Sequence, residues 1–351
     1  ANATESSRSE QRQSPVIAQP APDSSDRDLA TPITQQADAP QPAAQDTNTD
    51  QAPKADDSAT PAAPSKAISL QPAAPHPAVA DICQQIGKKL SSVSVDECLA
   101  ANFTVPRFYS NRNLPLLEKH FDADADAINP PRILFIGGIH GDEYSSVSIS
   151  FKWLATLQQH HSGIFDWHFL PLTNPDGLLQ DKSTRVNANR VDLNRNFIPA
   201  ETAIDPLKHW QTHARKRARY YPGSAPLSEP ESQAIHQLIE EIKPDVIVSV
   251  HAPHGILDFD GTIQPPQKLG PLHLKQLGTY PGSLGNYGWF VKQIPVMTIE
   301  LKHAGIMPQQ KDIERMWVDL IHWIKLRTDG DGTLLARKTS RTDESAAKPA
   351  L

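Results

Sequence analysis

The sequence predicts an α/β fold: a mixed, largely parallel twisted sheet with helices on both faces, in an α/β/α arrangement. Three observations predict it. From about residue 106 to 327, short apolar runs alternate with stretches of helical period. Runs such as "RILFI" and "VIVSV" are almost wholly apolar, as in strands covered on both sides. Glycine, proline, asparagine or aspartate bounds most of them.

The elements follow in chain order. Residues 1–78 are rich in Pro, Ala, Gln, Ser and Asp, and the first aromatic residue of the chain is Phe103. A segment so poor in large apolar groups cannot offset its ordering entropy, so 1–78 reads as a disordered linker. The first residues, "ANATESS", read as the end left when a signal peptide is removed at a small-residue site, which predicts an exported, periplasmic protein. A chain shortened for any other reason starts the same way.

Residues 79–105 form a small segment in which "VADICQQIGKKL" predicts a short helix and "VSVDECLAANF" a further turn or two. Its Cys83 and Cys98 are either two buried thiols or one disulfide, which would be worth on the order of 3 kcal/mol. Export favours the disulfide.

In 106–327, "RILFIGGI" is a strand and "EYSSVSISFKWLATLQQHH" a helix with Val147, Phe151, Leu154 and Leu157 on one side. "DWHFLPLTN" is a strand ending at Asn174. "EPESQAIHQLIEEIK" is an amphipathic helix, "PDVIVSVH" and "IPVMTIEL" are strands, and "DIERMWVDLIHWIKL" is a closing helix. Residues 328–351 read as a second disordered tail.

The chain is 351 residues long with a net charge of -6, which does not suit a nucleic-acid binder. No run of eighteen apolar residues predicts a transmembrane segment. The oligomeric state is left open.

Three strand ends carry chemistry. The first delivers His140, with Glu143 opening the next helix; "VIVSV" delivers His251; "VMTI" delivers Glu300. Open sheets place their sites at such strand ends. Two histidines and a glutamate are a ligand set for catalytic Zn²⁺, which keeps its fourth position for water. An H-x-x-E pair alone is common by chance, but a second strand-end histidine and a further strand-end carboxylate together are not. His254 competes with His251 and loses because it follows a proline in the loop. The other histidines, His168 among them, read as surface or packing residues. "TRVNANRVDLNRNF" adds Arg185, Arg190, Asn194 and Arg195, and arginine suits a carboxylate through its bidentate fork.

Together "GGIHGDE", "NPDG", "VDLNRNF", the histidine after a strand and "TIEL" resemble the zinc metallocarboxypeptidases of the carboxypeptidase A type, over roughly 130–305. "HAP" and "YPGSLGNYGW" look most like the bacterial murein peptide amidases, which cut the γ-D-glutamyl bond to diaminopimelic acid in cell-wall peptides. The resemblance implies one Zn²⁺ per chain on His140, Glu143 and His251, with Glu300 as general base and Arg185 stabilising the oxyanion. It implies that Asn194 and Arg195 hold the free carboxylate of a peptide or muropeptide substrate. A tyrosine caps the substrate in such enzymes; Tyr280 fits by position and Tyr287 is its rival. Asn286 is expected in the pocket, and Asp258 or Asp260 could meet an amine. At Arg190 relatives often have glycine. A general metallocarboxypeptidase, a zinc deacylase of the succinylglutamate desuccinylase or aspartoacylase type, and a non-catalytic wall-binding protein are the alternatives.

Overall fold

The structure is a computed structural model and describes residues 74–327; the expected linker and tail therefore lie largely outside the described residues. Eight strands form one sheet: β1 (Lys119–Phe121), β2 (Arg132–Ile136), β3 (Asp166–Leu170), β4 (Val246–His251), β5 (Ile256–Asp260), β6 (Lys268–Leu269), β7 (Leu272–Leu274) and β8 (Val296–Glu300). Their order is β1-β3-β2-β4-β8-β5-β7-β6. The central strands β3, β2, β4 and β8 run parallel. Beyond them β1 pairs antiparallel with β3, and β5 antiparallel with β8. The sheet is mixed, with a parallel centre.

Among the described residues seven α-helices accompany it: α1 (Pro77–Lys89), α2 (Val95–Ala100), α3 (Tyr144–His160), α4 (Pro175–Leu178), α5 (Pro206–Thr212), α6 (Pro230–Ile242) and α7 (Gln310–Leu326). Helix α1 starts at Pro77, two residues inside the stretch read as linker, because His76 caps it and proline suits its first turn.

Strand alternation splits the core in two. Ile133, Phe135, Val246, Val248, Met297 and Ile299 face α1, α2, α3 and α7. Leu134, Ile136, Ile247 and Val296 face α6 and the segments around Phe197 and Tyr287. Each fully buried Leu, Ile or Phe contributes about 1.5–3 kcal/mol, so these two layers dominate the stability. The 79–105 segment lies within the first layer: Ile82, Cys83, Ile86 and Cys98 are buried there. A Cys83–Cys98 disulfide joins α1 to α2, and Lys152 on α3 bonds Glu97 at 2.7 Å.

Two boundaries differ from the sequence reading. Strand β3 ends at Leu170 rather than Asn174, since Pro171 has no N–H to continue the ladder. The stretch after His251, read as a loop, contains β5. Its Leu257 and Phe259 are buried in the first layer, while Asp258 and Asp260 alternate onto the other face.

Candidate active site

The parallel strands β2, β4 and β8 bring their carboxyl ends together. His251 ends β4 and Glu300 ends β8, and the two are partners in register. His140 follows β2 through a turn whose shape demands glycine. Gly138 has φ +60°, and a Cβ on Gly141 would lie 2.2 Å from the backbone of Gly177.

His140 Nδ1 lies 2.7 Å from Glu143 Oε1 and 3.2 Å from His251 Nδ1, and His251 Nδ1 lies 3.1 Å from Glu143 Oε2. All three side chains are buried. Two ring nitrogens and a carboxylate thus converge on one point. Four tetrahedral donors around Zn²⁺ at its usual bond lengths stand about 3.3 Å apart, close to these separations, so the residues fit the ion. Glu143 occupies the N-cap position of α3 without making the usual cap bond, because its carboxylate faces His140, His251 and the Ala252 N–H. Burial opposes its charge. The His140 charge and the hydrogen bonds from His140 and His251 outweigh burial and hold it well below the usual carboxylate range.

The far side of each ring is also held. His140 Nε2 lies 3.2 Å from Asp192 Oδ1, and His251 Nε2 lies 3.1 Å from Ser249 Oγ. Such outer partners fix ring orientation at metal sites. Asp192 is fully buried, accepts from Arg185 Nε at 2.9 Å and caps the Asn194 N–H at 3.0 Å. It links the His140 ring, Arg185 and the 3₁₀ turn Leu193–Arg195. The sequence reading missed it. So too Asn174, whose amide donates to the carbonyls of Ile139 and Arg185 and ties the histidine turn to the arginine loop. Asn174 and Asp192 lie inside the quoted "NPDG" and "VDLNRNF", so their motifs were the available signal.

Glu300 sits at the rim. Burial pushes its carboxyl up to about 7; the charge of His251 opposes this and that of Glu143 adds to it. His254 is exposed, with its backbone N–H 3.5 Å from Glu300. Arg185 also lies 3.6 Å from Glu143.

The remaining expected residues are spread around this site. Asn194 Oδ1 accepts from Leu284 N–H at 2.8 Å, which joins the turn to the 280s segment. Arg195 donates to the Asn194 carbonyl at 2.7 Å and lies 4.2 Å from the Tyr280 ring centre. Tyr287 is fully buried, stacks on Phe197 and bonds His236, so it belongs to the core. Asn286 is turned inward: it accepts from Ala200 N–H at 3.0 Å and donates to Thr279 at 3.3 Å. Asp258 is engaged by the N–H groups of Phe259 and Leu277. Asp260 has no hydrogen-bond donor on its carboxylate among the described residues. Burial and the Asp258 charge push it up to about 7. Gly285 lies over it, and a Cβ there would come within 2.1 Å of Asp260 Oδ2. Arg190 is exposed, with φ 61°, the left-handed region that glycine occupies without strain.

Comparison with known proteins places this geometry. A profile described as zinc carboxypeptidase matches residues 101–260. Murein peptide amidase A of Vibrio campbellii is 32% identical over 214 residues, covering 58% of this chain and 81% of the relative. The chain belongs to the zinc carboxypeptidase family. Murein peptide amidase A of Escherichia coli K12 is 39% identical over 130 residues, 36% of this chain and 50% of the relative, so the chain spans about half the length of that relative. The crystal structure of murein-tripeptide amidase from E. coli O157 is 28% identical, with TM-score 0.43, covering 62% of this chain and 90% of the other. The family is zinc-dependent, and among the described residues His140, Glu143 and His251 form one of two groups whose donor atoms could hold a metal ion.

Proposed function

We propose that this zinc carboxypeptidase family member hydrolyses the γ-D-glutamyl–diaminopimelate amide of cell-wall peptides. The observation that carries the reading is the register pairing of His251 with Glu300, which sets a carboxylate beside the His140–Glu143–His251 triad. The relatives named murein peptide amidase A support the substrate class.

His140, Glu143 and His251 would hold Zn²⁺. The bound ion supplies Lewis acidity, lowering the pKa of a water to about 7 and polarising a carbonyl. Glu300 takes a proton on its carboxylate and returns it to the leaving amine. Arg185, anchored by Asp192, turns its cationic edge to charge that builds on the substrate carbonyl oxygen. Arg195 and the free amide N–H groups of Asn194 bind the terminal carboxylate, and Tyr280 covers it. Asn286 acts indirectly, through Ala200 and Thr279.

Asp260 carries the finer assignment. It lies on the same face as Glu300, four residues along the β5–β8 ladder, or about 13 Å. A half-buried carboxylate without a hydrogen-bond donor of its own at that distance suits the amine of a long side chain, and diaminopimelate has one. No described helix is long and apolar enough to cross a membrane. Wall peptides as substrate, together with a disulfide, fit a periplasmic enzyme.

The test is hydrolysis of muropeptide tripeptides with products read by mass spectrometry. A peptide ending in diaminopimelate should be cut at the γ-D-glutamyl bond. One ending in lysine, which lacks the distal carboxylate, should be cut at least about 10-fold less well. A preference for simple C-terminal Phe, Leu or Arg would leave only a general carboxypeptidase.

A further inference from the structure

The outer edge of the sheet carries a second set of metal-type donors, which the reading above does not use. His120 on β1 and His168 on β3 are cross-strand partners, their rings stacked with centroids 4.1 Å apart. Asp166 precedes His168 by two residues and so shares its face of the strand. Its Oδ1 lies 3.0 Å from His120 Nε2 and 3.0 Å from His168 Nε2. One carboxylate oxygen thus stands between two imidazole nitrogens.

The surroundings suit an ion. His120 Nδ1 lies 3.3 Å from Asp122 Oδ1, the outer carboxylate that commonly orients a metal-bound imidazole. His168 Nδ1 is buried with no hydrogen-bond partner among the described residues, so the Nε2 edge is the one through which that ring makes its polar contact with Asp166. The side chains of His120, Asp166 and His168 are 33%, 22% and 16% exposed, which admits an ion and leaves room for water to complete its shell. Tetrahedral donors around Zn²⁺ stand about 3.3 Å apart, so the Asp166 contacts need to open by only a few tenths of an ångström.

We infer that His120, Asp166 and His168 form a second divalent-cation site, separate from the His140–Glu143–His251 triad. Imidazole and carboxylate donors select Zn²⁺, Cu²⁺, Ni²⁺ or Co²⁺ over Ca²⁺ and Mg²⁺, which prefer oxygen. The ion clamps β1, a three-residue edge strand, to β3. Its ligands are partly exposed, at 16–33%, where those of the triad are buried, so it is the weaker of the two sites.

The experiment uses the full chain, stripped with a chelator and titrated with Zn²⁺ and, in parallel, Cu²⁺. Stoichiometry is read by elemental analysis after desalting, and the copper spectrum by electron paramagnetic resonance. Wild type should take up two ions. His120→Gln and Asp166→Asn should each lose the weaker one, together with its two-nitrogen copper signal, and should keep the peptide-hydrolysis rate and the circular dichroism of wild type. Uptake of one ion that both variants retain would overturn the site. So would a second ion that both variants still bind. Uptake of a single ion that both variants lose would support this site and count against the triad, so the two assignments fail separately.

Discussion

Replacing Asp192 probes how much of the active site is held from behind. Asp192→Asn keeps the shape, and asparagine caps the Asn194 N–H as well as aspartate does. What it removes is the charge that faces His140 Nε2 at 3.2 Å and Arg185 Nε at 2.9 Å. Outer partners of metal-bound histidines are worth 10–100-fold in metal affinity or activity, or about 1.4–2.7 kcal/mol. Zinc affinity, measured by competition with a chromophoric chelator, should fall by that range in Asp192→Asn, and kcat/KM with it. Asp192→Ala also loses the cap, about 1 kcal/mol. Both variants leave Arg185, whose side chain is 13% exposed, with Glu143 at 3.6 Å and the more distant Asp142 charge as its carboxylate neighbours among the described residues. Breaking a buried pair in this way costs about 3–5 kcal/mol in either variant, so denaturant unfolding should show both destabilised and the alanine variant lower by about the further 1 kcal/mol of the cap. Wild-type zinc affinity and rate in Asp192→Asn would refute the claim that this carboxylate orients the site.

Three further outcomes follow from the same geometry. Glu300→Gln keeps the shape of the base and removes its proton acceptor; zinc should stay bound while kcat falls by at least about 10²-fold, and a near-normal rate would move the base elsewhere, with Asp142 next to be tested. Asp260, raised to about 7, binds an amine only when ionised, so KM for a diaminopimelate peptide should fall as pH rises through about 7 and should lose that dependence in Asp260→Asn. The sign for folding is opposite: the folded state holds a proton that the unfolded chain has released, so this residue's contribution to stability declines as pH climbs from about 4 to about 7. Removing the Cys83–Cys98 bridge, which closes a separation of 15 residues, should cost about 3 kcal/mol in denaturant unfolding; an unchanged midpoint would show that α1 and α2 are held by packing alone.

The parts of the fold that were legible in the sequence are those with strong apolar signals. Strands β2, β4 and β8 are largely buried, so their residues read as apolar runs, and the polar groups His251 and Glu300 at the ends of β4 and β8 and His140 in the turn after β2 stand out against them. The outer strands were not legible. Strand β1 is three residues long and half-buried, with no apolar run to announce it. In β5 the alternation of Leu257 and Phe259 with Asp258 and Asp260 was present, but the glycines and proline around it suggested a turn. Asp192 escaped notice because its role lies in three-dimensional contacts with His140 and Arg185, 52 and 7 residues away in sequence. Burial, which sequence spacing does not carry, separates the two tyrosines: Tyr287 is packed against Phe197, while Tyr280 lies against Arg195.

Anomalous diffraction at the zinc edge, on crystals of the full chain grown with Zn²⁺, tests the central claim most directly. A peak is expected bonded to Nδ1 of His140, Nδ1 of His251 and the Glu143 carboxylate, with Glu300 beside it. Density that leaves those three side chains in mutual hydrogen bonds and puts zinc elsewhere would contradict it.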